Sequence, residues 1–232
     1  MFKISSLTLT TALALLLIPS QIVHAFTLNG SFETGNFDNW TTTGQTSVED
    51  SSFAVDPTDG NKQAALQTLQ DIPVTSAIEI ETFLGLSTGT LTNQGATEGS
   101  AIKQIVTANA GDILSFSWNF LTDQDPDPTY DDLAFFTLNN SLTENTNIPN
   151  TPSFSVLAKE TEYQSFSYTI SSAGIYTLGF GIVDRGDTTV NSALLVDNVQ
   201  IQTSAVPEPM TMLGALTALG FGAVFRTKRN IA

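Results

Sequence analysis

The chain has 232 residues, with 23 acidic against 8 basic side chains and a formal net charge of −15. It contains one histidine and no cysteine, which excludes disulfides and Cys–His catalysis. Such an acidic surface repels nucleic acid and anionic lipid, so we expect no nucleic-acid partner. The same charge favours solubility and attracts divalent cations. Solubility alone would account for it, so cation binding needs separate evidence.

The N-terminal segment is typical of a secretory signal peptide. Lys3 supplies a positive charge, residues 7–18 form an apolar run, and Val23-His24-Ala25 is a small-x-small cleavage site. We expect residues 1–25 to be removed on export, which takes away the only histidine. The mature chain then offers no Ser-His-Asp triad and no histidine or cysteine ligand for zinc.

Alternation of apolar and polar residues predicts β-strands throughout the region 26–205. It is clearest at residues 114–120, 165–170 and 176–182. Turn residues separate these strands at 110–112 and 172–174. Alternation with a period of two is typical of a strand with one face on a core and the other on solvent. The pattern predicts one all-β domain, an antiparallel β-sandwich.

One stretch departs from the alternation. Residues 78–91 have acidic side chains near the start and apolar ones close together, which predicts a short helix in a long insertion over residues 75–99. Gly85 and Gly89 are unfavourable to a longer helix.

Three short motifs follow one another along the domain. Asn29-Gly30-Ser31-Phe32-Glu33 stands before Trp40, residues 59–66 read Asp-Gly-Asn-Lys-Gln-Ala-Ala-Leu, and residues 194–201 contain Asp197-Asn198-Val199. In this order they resemble the opening strand, second-strand entry and closing strand of the carbohydrate-binding jelly-roll modules. The resemblance implies a jelly-roll, galactose-binding-like sandwich.

The same resemblance implies a structural calcium. In those modules the closing-strand Asp and the first-strand Glu bind the ion. Carried over, Glu33 and Asp197 would be side-chain ligands, and Ser31, Asp59 and Lys62 candidates through side-chain or backbone oxygens.

The residues around Asp197 give an argument of their own. Asp197 shares strand parity with Leu195, Val199 and Ile201, so we expect it on the apolar face. A buried carboxylate must be hydrogen-bonded, protonated or bound to metal. The alternative to calcium is therefore that Asp197 caps a turn or accepts backbone N–H groups.

A second acidic cluster spans residues 123–132. Its two prolines predict a loop. The alternate spacing of Asp123, Asp125 and Asp127 occurs in some calcium loops, but the glycine and distant glutamate of an EF-hand are missing. A solvated acidic loop is the alternative. Together with residues 116–122 and 186–198, this segment is similar to the choice-of-anchor domains of bacterial surface proteins, which implies surface display.

The C-terminal region 206–232 has three parts. Pro207-Glu208-Pro209 precedes an uncharged apolar run, residues 210–225, and then Arg226, Lys228 and Arg229. As a helix the run would cover roughly 24 Å, slightly less than a bilayer core of about 30 Å. This arrangement resembles the PEP-CTERM sorting signal of Gram-negative bacteria. The resemblance implies an exosortase partner, a transient inner-membrane anchor, and a final place in the cell envelope or extracellular matrix. A plain C-terminal anchor is the alternative.

Two functions follow from these patterns. The first is an exported, non-enzymatic surface or matrix protein, sorted by an exosortase and associated with exopolysaccharide or biofilm. The alternative is a calcium-stabilised carbohydrate-binding module for a specific glycan, with Trp40 and Tyr130 near loops as sugar-stacking residues. Trp40 could instead plug the sandwich. Carboxylate pairs suited to a glycosidase are available, but no pair is singled out, so we expect no enzyme.

Overall fold

Two antiparallel β-sheets packed face to face form the body of the protein, seen here in a computed structural model. The structure describes residues 27, 29–70, 72–123, 132–145, 151–153 and 157–204. The predicted signal peptide and sorting tail lie outside these residues, as do Tyr130 and most of the acidic loop. Within the described ranges, no helix has the length and apolar character needed to cross a membrane.

The described residues contain thirteen strands and one α-helix. The strands are β1 (Thr41–Thr43), β2 (Gln45–Glu49), β3 (Gln63–Gln67), β4 (Thr75–Ser76), β5 (Ala96–Ala108), β6 (Ile113–Thr122), β7 (Leu133–Leu138), β8 (Ser141–Asn145), β9 (Thr151–Pro152), β10 (Lys159–Glu160), β11 (Gln164–Thr169), β12 (Gly174–Arg185) and β13 (Ser192–Gln202). The helix α1 spans Ala77–Leu84, and single 3-10 turns occur at Ser51–Phe53 and Thr92–Gln94.

The first sheet has the order β1-β5-β12-β7-β8, with β4 also paired to β5. The second has the order β2-β3-β13-β6-β10-β9, with β11 also paired to β6. All these pairs are antiparallel, and the central neighbours β5 and β12, β3 and β13, and β6 and β13 come from distant parts of the chain. The predicted antiparallel β-sandwich of jelly-roll type is confirmed. The strands predicted from alternation appear as β6, β11 and β12, and the closing strand implied by the resemblance appears as β13.

Large apolar side chains from both inner faces fill the space between the sheets. Phe116 of β6 packs edge-on against Phe136 of β7 and Phe180 of β12, with ring centroids 5.0 and 4.8 Å apart. Alternate residues of the central strands complete this core, among them Leu66, Ile102, Phe120, Ile182 and Leu194. The core follows directly from the alternation, because residues two apart lie on one face of a strand.

Part of the outer face of the first sheet is covered, although the alternation predicts a solvent face. Helix α1 lies on it and packs Ile80 and Leu84 against Ala101 and Val183. The close approach needs glycine in β12, since a Cβ on Gly179 would lie 2.6 Å from Leu84 Cδ2. The expectation of an exposed outer face is wrong here because the insertion folds back over the sheet.

The predicted short helix is confirmed, and local chemistry sets both of its ends. The Ser76 hydroxyl accepts from Glu79 N, and the Glu79 carboxylate accepts from Ser76 N, which is a capping box. Gly85 ends the helix in the left-handed region, at φ 73°.

Strand β13 changes face part-way along. Leu195 and Asp197 lie on the outer face of the second sheet, while Val199 and Ile201 belong to the core between the sheets. The register with β6 shifts between Asp197 and Gln200, and Asn198 has φ 52°. The predicted common face for these four residues is wrong because a bulge at Asn198 reverses the alternation.

Candidate functional site

The loop of residues 58–62, called here the clamped loop, is held against the sandwich by two carboxylates. Asp197 is fully buried. Its Oδ2 accepts from Thr58 N, Thr58 Oγ1 and Asp59 N at 2.7, 2.9 and 2.8 Å. Its Oδ1 accepts from Asn198 N at 2.7 Å. One carboxylate of the last strand therefore ties down the loop that leads into β3.

Two opposing effects act on the pKa of Asp197. Burial raises the pKa because it disfavours the charged form, and the hydrogen bonds from Asp59, Thr58 and Asn198 oppose this rise. The net direction is upward. The carboxylate thus lies in a partly compensated site, where each accepted N–H group offsets some of its desolvation.

Glu33 holds the other end of the clamped loop. Its Oε1 accepts from Asn61 N and Lys62 N, each at 2.7 Å. Near the middle of the loop, Ser31 Oγ donates to Asp59 Oδ2 at 2.5 Å. The structure therefore brings the five predicted ligands, Ser31, Glu33, Asp59, Lys62 and Asp197, around one loop.

The oxygens around this loop suit calcium in kind, since the ion prefers carboxylate, hydroxyl and carbonyl ligands. Glu33 Oε2 accepts no hydrogen bond from the described residues, whereas Asp197 already accepts four. The bonds at Asp197 are those expected if it accepts backbone N–H groups, the alternative left open by the sequence. In the described part of the chain, no group of three or more His, Cys, Asp or Glu side chains is placed to hold a metal. Calcium at Glu33 and Asp197 stays a prediction.

Two polar depressions border the clamped loop. The first, the loop depression, has a volume of about 510 Å³ and is lined by Asp50, Ser51, Ser52, Asp56, Pro57, Gly60 and Asn61. The second, the edge depression, has a volume of about 330 Å³ and is lined by Thr27, Gly30, Ser31, Asp59, Val199, Gln200 and Ile201. Their linings present carboxylates, hydroxyls and amides to solvent. Such groups can donate to and accept from a polar ligand.

An ion pair between Asp50 and Lys62 lies at one wall of the loop depression. Asp50 Oδ2 lies 3.1 Å from Lys62 Nζ. Hydrogen bonds from Ser52, and then the Lys62 ammonium, hold the pKa of Asp50 well below its usual range. Asp50 therefore stays ionised at the mouth of the depression.

Trp40, predicted to stack on a sugar, does not line either depression. Trp40 is 7% exposed, packs on Phe32 with ring centroids 5.5 Å apart, and donates from Nε1 to Asn29 O at 3.2 Å. This is the placement expected of a residue that plugs the sandwich.

Tyr130 lies outside the described residues. In the acidic loop, Asp123 is exposed and its Oδ1 accepts from Ala158 N at 2.8 Å.

Sequence reasoning missed Thr58, Asn61 and the acids Asp50 and Asp56. Thr58 and Asn61 hold the loop through backbone N–H groups, which leave no mark in the sequence, and Thr58 adds a bond from its hydroxyl. Asp50 and Asp56 lie on either side of the 3-10 turn Ser51–Phe53. Their position before the predicted strand entry at residues 59–66 is a sequence signal that could have indicated them.

Comparison with known proteins gives fold-level likeness only. Neither a family model nor a curated protein sequence matches the chain. Among solved structures, TmCBM61 in complex with β-1,4-galactotriose is similar at 11% identity and a TM-score of 0.43, covering 78% of this chain and 100% of that chain.

Two further likenesses are of the same order. The K1 cleaved adhesin domain of Lys-gingipain from Porphyromonas gingivalis W83 is 13% identical, with a TM-score of 0.46, and covers 75% of this chain and 96% of that one. The CBM22-1 xylan-binding domain of Paenibacillus barcinonensis Xyn10C is 16% identical, with a TM-score of 0.35, and covers 76% and 94%. The fold assignment above rests on the strand order and pairing of this chain itself.

Proposed function

We propose that the protein is a glycan-binding module that uses the loop depression as its site. The observation that supports this is a polar depression of about 510 Å³ whose lining includes two carboxylates, two serine hydroxyls and an amide. Sugar hydroxyls both donate and accept, so they match such a lining. Because Glu33 and Asp197 hold the adjoining backbone, little ordering entropy would be lost on binding.

The module would act by binding rather than by catalysis. A general acid with a raised pKa must reach its substrate. Burial raises the pKa of both Asp184 and Asp197, yet these residues are only 2% and 0% exposed. Among the described residues, the carboxylic acids with a raised pKa are therefore enclosed, while the acids of the loop depression lie at the surface.

Sorting and calcium belong to the same proposal. Residues 1–25 would direct export, and residues 206–232 would address an exosortase, which places the module in the envelope or extracellular matrix. There the glycan would be matrix exopolysaccharide. Calcium would join Glu33, through its open Oε2, to the loop that Asp197 holds, and so stiffen the floor of the site.

A glycan array on the purified protein tests the function, with β-1,4-galactan and xylan oligosaccharides among the probes. Calorimetry on the best binder should show a favourable enthalpy, as expected where hydrogen bonds dominate. Asp56→Asn and Asn61→Ala should each weaken binding, because both side chains line the depression. Glu162→Gln, an exposed acid outside it, is the matched control. Absence of any bound glycan, or equal affinity in all variants, would reject the proposal.

A further inference from the structure

A layer of buried polar side chains closes the core at one end of the sandwich. Each member stands two residues from an inner-face apolar residue of the core, and each is buried. All are at most 2% exposed, and they are Thr68, Thr122, Asp132, Asp184 and Ser192. Asp132 directly precedes β7, and Asp184 lies in β12 of the first sheet. Thr122 and Ser192 lie in β6 and β13 of the second sheet, and Thr68 directly follows β3. We call this set the polar layer.

Hydrogen bonds connect the polar layer across the two sheets. Ser192 Oγ lies 2.5 Å from Asp132 Oδ2, to which it donates, and 2.7 Å from Thr122 Oγ1. Ser192 N donates to Thr68 Oγ1 at 3.3 Å. A hydrogen bond from Thr68 to the Asp184 carboxyl lowers the pKa of that acid. Both acids are therefore parts of one connected buried network.

One atom of the network has no partner. Asp184 Oδ1 is buried and makes no hydrogen bond with the described residues. An unsatisfied buried polar atom costs about 1–3 kcal/mol, and more if it is charged. Burial, and then the charges of Asp132, Glu98 and Asp187, raise the pKa of Asp184 to about 8.

Protonation of Asp184 does not by itself give Oδ1 a hydrogen-bond partner. A proton on Oδ1 would need an acceptor, and Oδ1 makes no hydrogen bond with the described residues. A proton on Oδ2 would leave Oδ1 as a carbonyl oxygen, still without a donor. A cation would supply a partner for Oδ1 and would offset the repulsion between the carboxylates of Asp132 and Asp184.

We propose that the polar layer binds one divalent cation, with the carboxylates of Asp132 and Asp184 as its charged ligands. Two carboxylates and one divalent ion make a neutral unit, which lowers the cost of burial. The hydroxyls of Thr68 and Ser192 provide further hard oxygens, the kind that calcium and magnesium prefer. Glu98 and Asp187 are only partly buried, and their charges attract a cation to this end of the sandwich.

This site is separate from the clamped loop. Asp197 pairs with Ser117 in the second sheet and Ser192 pairs with Thr122, five residues farther along β6. At about 3.4 Å per residue the two places lie roughly 17 Å apart. The two sites can therefore be occupied and removed independently.

Calorimetric titration of the metal-free full-length protein with calcium chloride, and in parallel with magnesium chloride, tests the proposal. We expect Asp184→Asn to lose one equivalent of bound ion that Glu33→Gln retains. Asp187→Asn keeps its surface position and an acceptor oxygen, so it should change the affinity by only a few-fold. No uptake by the wild type, or an unchanged number of ions in Asp184→Asn, would mean that water fills the gap at Oδ1 and would overturn the proposal.

A second variant decides the matter if circular dichroism shows that Asp184→Asn does not fold. Thr68→Val removes a hydroxyl beside the Asp184 carboxyl but keeps both charges and the side-chain volume. It should weaken the affinity of this equivalent by about tenfold or more, in the range seen when groups that orient metal ligands are lost. An unchanged affinity in Thr68→Val would contradict the proposed site.

Discussion

The carboxylate of Glu33 occupies the space that a side chain on residue 60 would need. A Cβ on Gly60 would lie 2.4 Å from Glu33 Cδ, and Gly60 has φ +73°. Glu33 could withdraw from such a Cβ only by giving up its bonds to Asn61 N and Lys62 N. The glycine thus allows both the left-handed turn of the clamped loop and its attachment to the first part of the domain.

Gly60→Ala should lower the free energy of unfolding by more than the cost of placing alanine in the left-handed region, because the new Cβ also displaces Glu33. The matched control is Gly35→Ala, because Gly35 has φ +75° and open space around its Cα. Both variants bear the left-handed penalty of about 1–2 kcal/mol. Gly60→Ala should lose a further 1–3 kcal/mol, roughly, as two backbone donors are left without Glu33. Urea unfolding measures both, and equal losses would show that Glu33 does not hold the loop.

The buried carboxylate of Glu81 should make stability depend on acid pH. Its oxygens accept from Gly89 N, Leu91 N and Thr92 N at 3.0, 2.7 and 2.9 Å. Burial raises the pKa of Glu81, but the bonds from Thr92, Gly89 and Leu91 together outweigh it and leave the pKa below the usual value of 4.5. The folded state therefore binds this proton less readily than the unfolded chain. The contribution is complete above pH 4.5 and is lost as the pH falls through the folded-state pKa.

Glu81→Gln should flatten that acid slope. At pH 7 it should also cost about 1–3 kcal/mol, since one oxygen acceptor becomes an N–H donor facing backbone donors. Glu79→Gln is the control, because this exposed residue of the same helix keeps its capping role as glutamine. Urea unfolding between pH 3 and 7 gives both slopes. If the free energy of unfolding falls with acid equally in the wild type and in Glu81→Gln, Glu81 is not the cause of the acid dependence.

Calcium should raise the melting temperature of the protein by several degrees. An ion that binds only the native state adds about 2.7 kcal/mol at a hundredfold excess over its Kd. Glu33→Gln should remove the part of this increment that belongs to the clamped loop. Asp197→Asn is less informative for metal, because it also disturbs the four hydrogen bonds that Asp197 accepts. Identical melting curves with calcium and with chelator would refute the metal prediction.

The C-terminal tail should be absent from the exported protein. Residues 207–209 form the Pro-Glu-Pro box and Arg226, Lys228 and Arg229 the basic end. Mass spectrometry of protein from an exosortase-bearing host should find a chain without the apolar run 210–225. Replacing Pro207, Glu208 and Pro209 with alanine should leave that run in place. Full-length wild-type protein held stably in the inner membrane would support the plain anchor instead.

Period-two alternation was sufficient to predict the central strands, because one face of a strand meets a core wherever large apolar residues recur every second position. The capping box at Ser76 and Glu79 and the glycine at residue 85 are local signals as well, and they agree with the observed helix. The motif residues Ser31, Glu33, Asp59, Lys62 and Asp197 come together around one loop, and calcium binding by them stays a prediction.

Tertiary structure decided what covers each face. Gly179 looked like a solvent-side residue, and only the return of helix α1 over the sheet shows that it is a contact point. Asp197 looked as though it shared a face with Val199, and only the bulge at Asn198 separates them. Asp184 stood in an ordinary strand pattern, and its burial depends on hydroxyls brought by β13 and the end of β3. Local sequence sets strand, turn and cap, whereas burial of a carboxylate depends on distant segments, and that burial determines its pKa and its need for a partner.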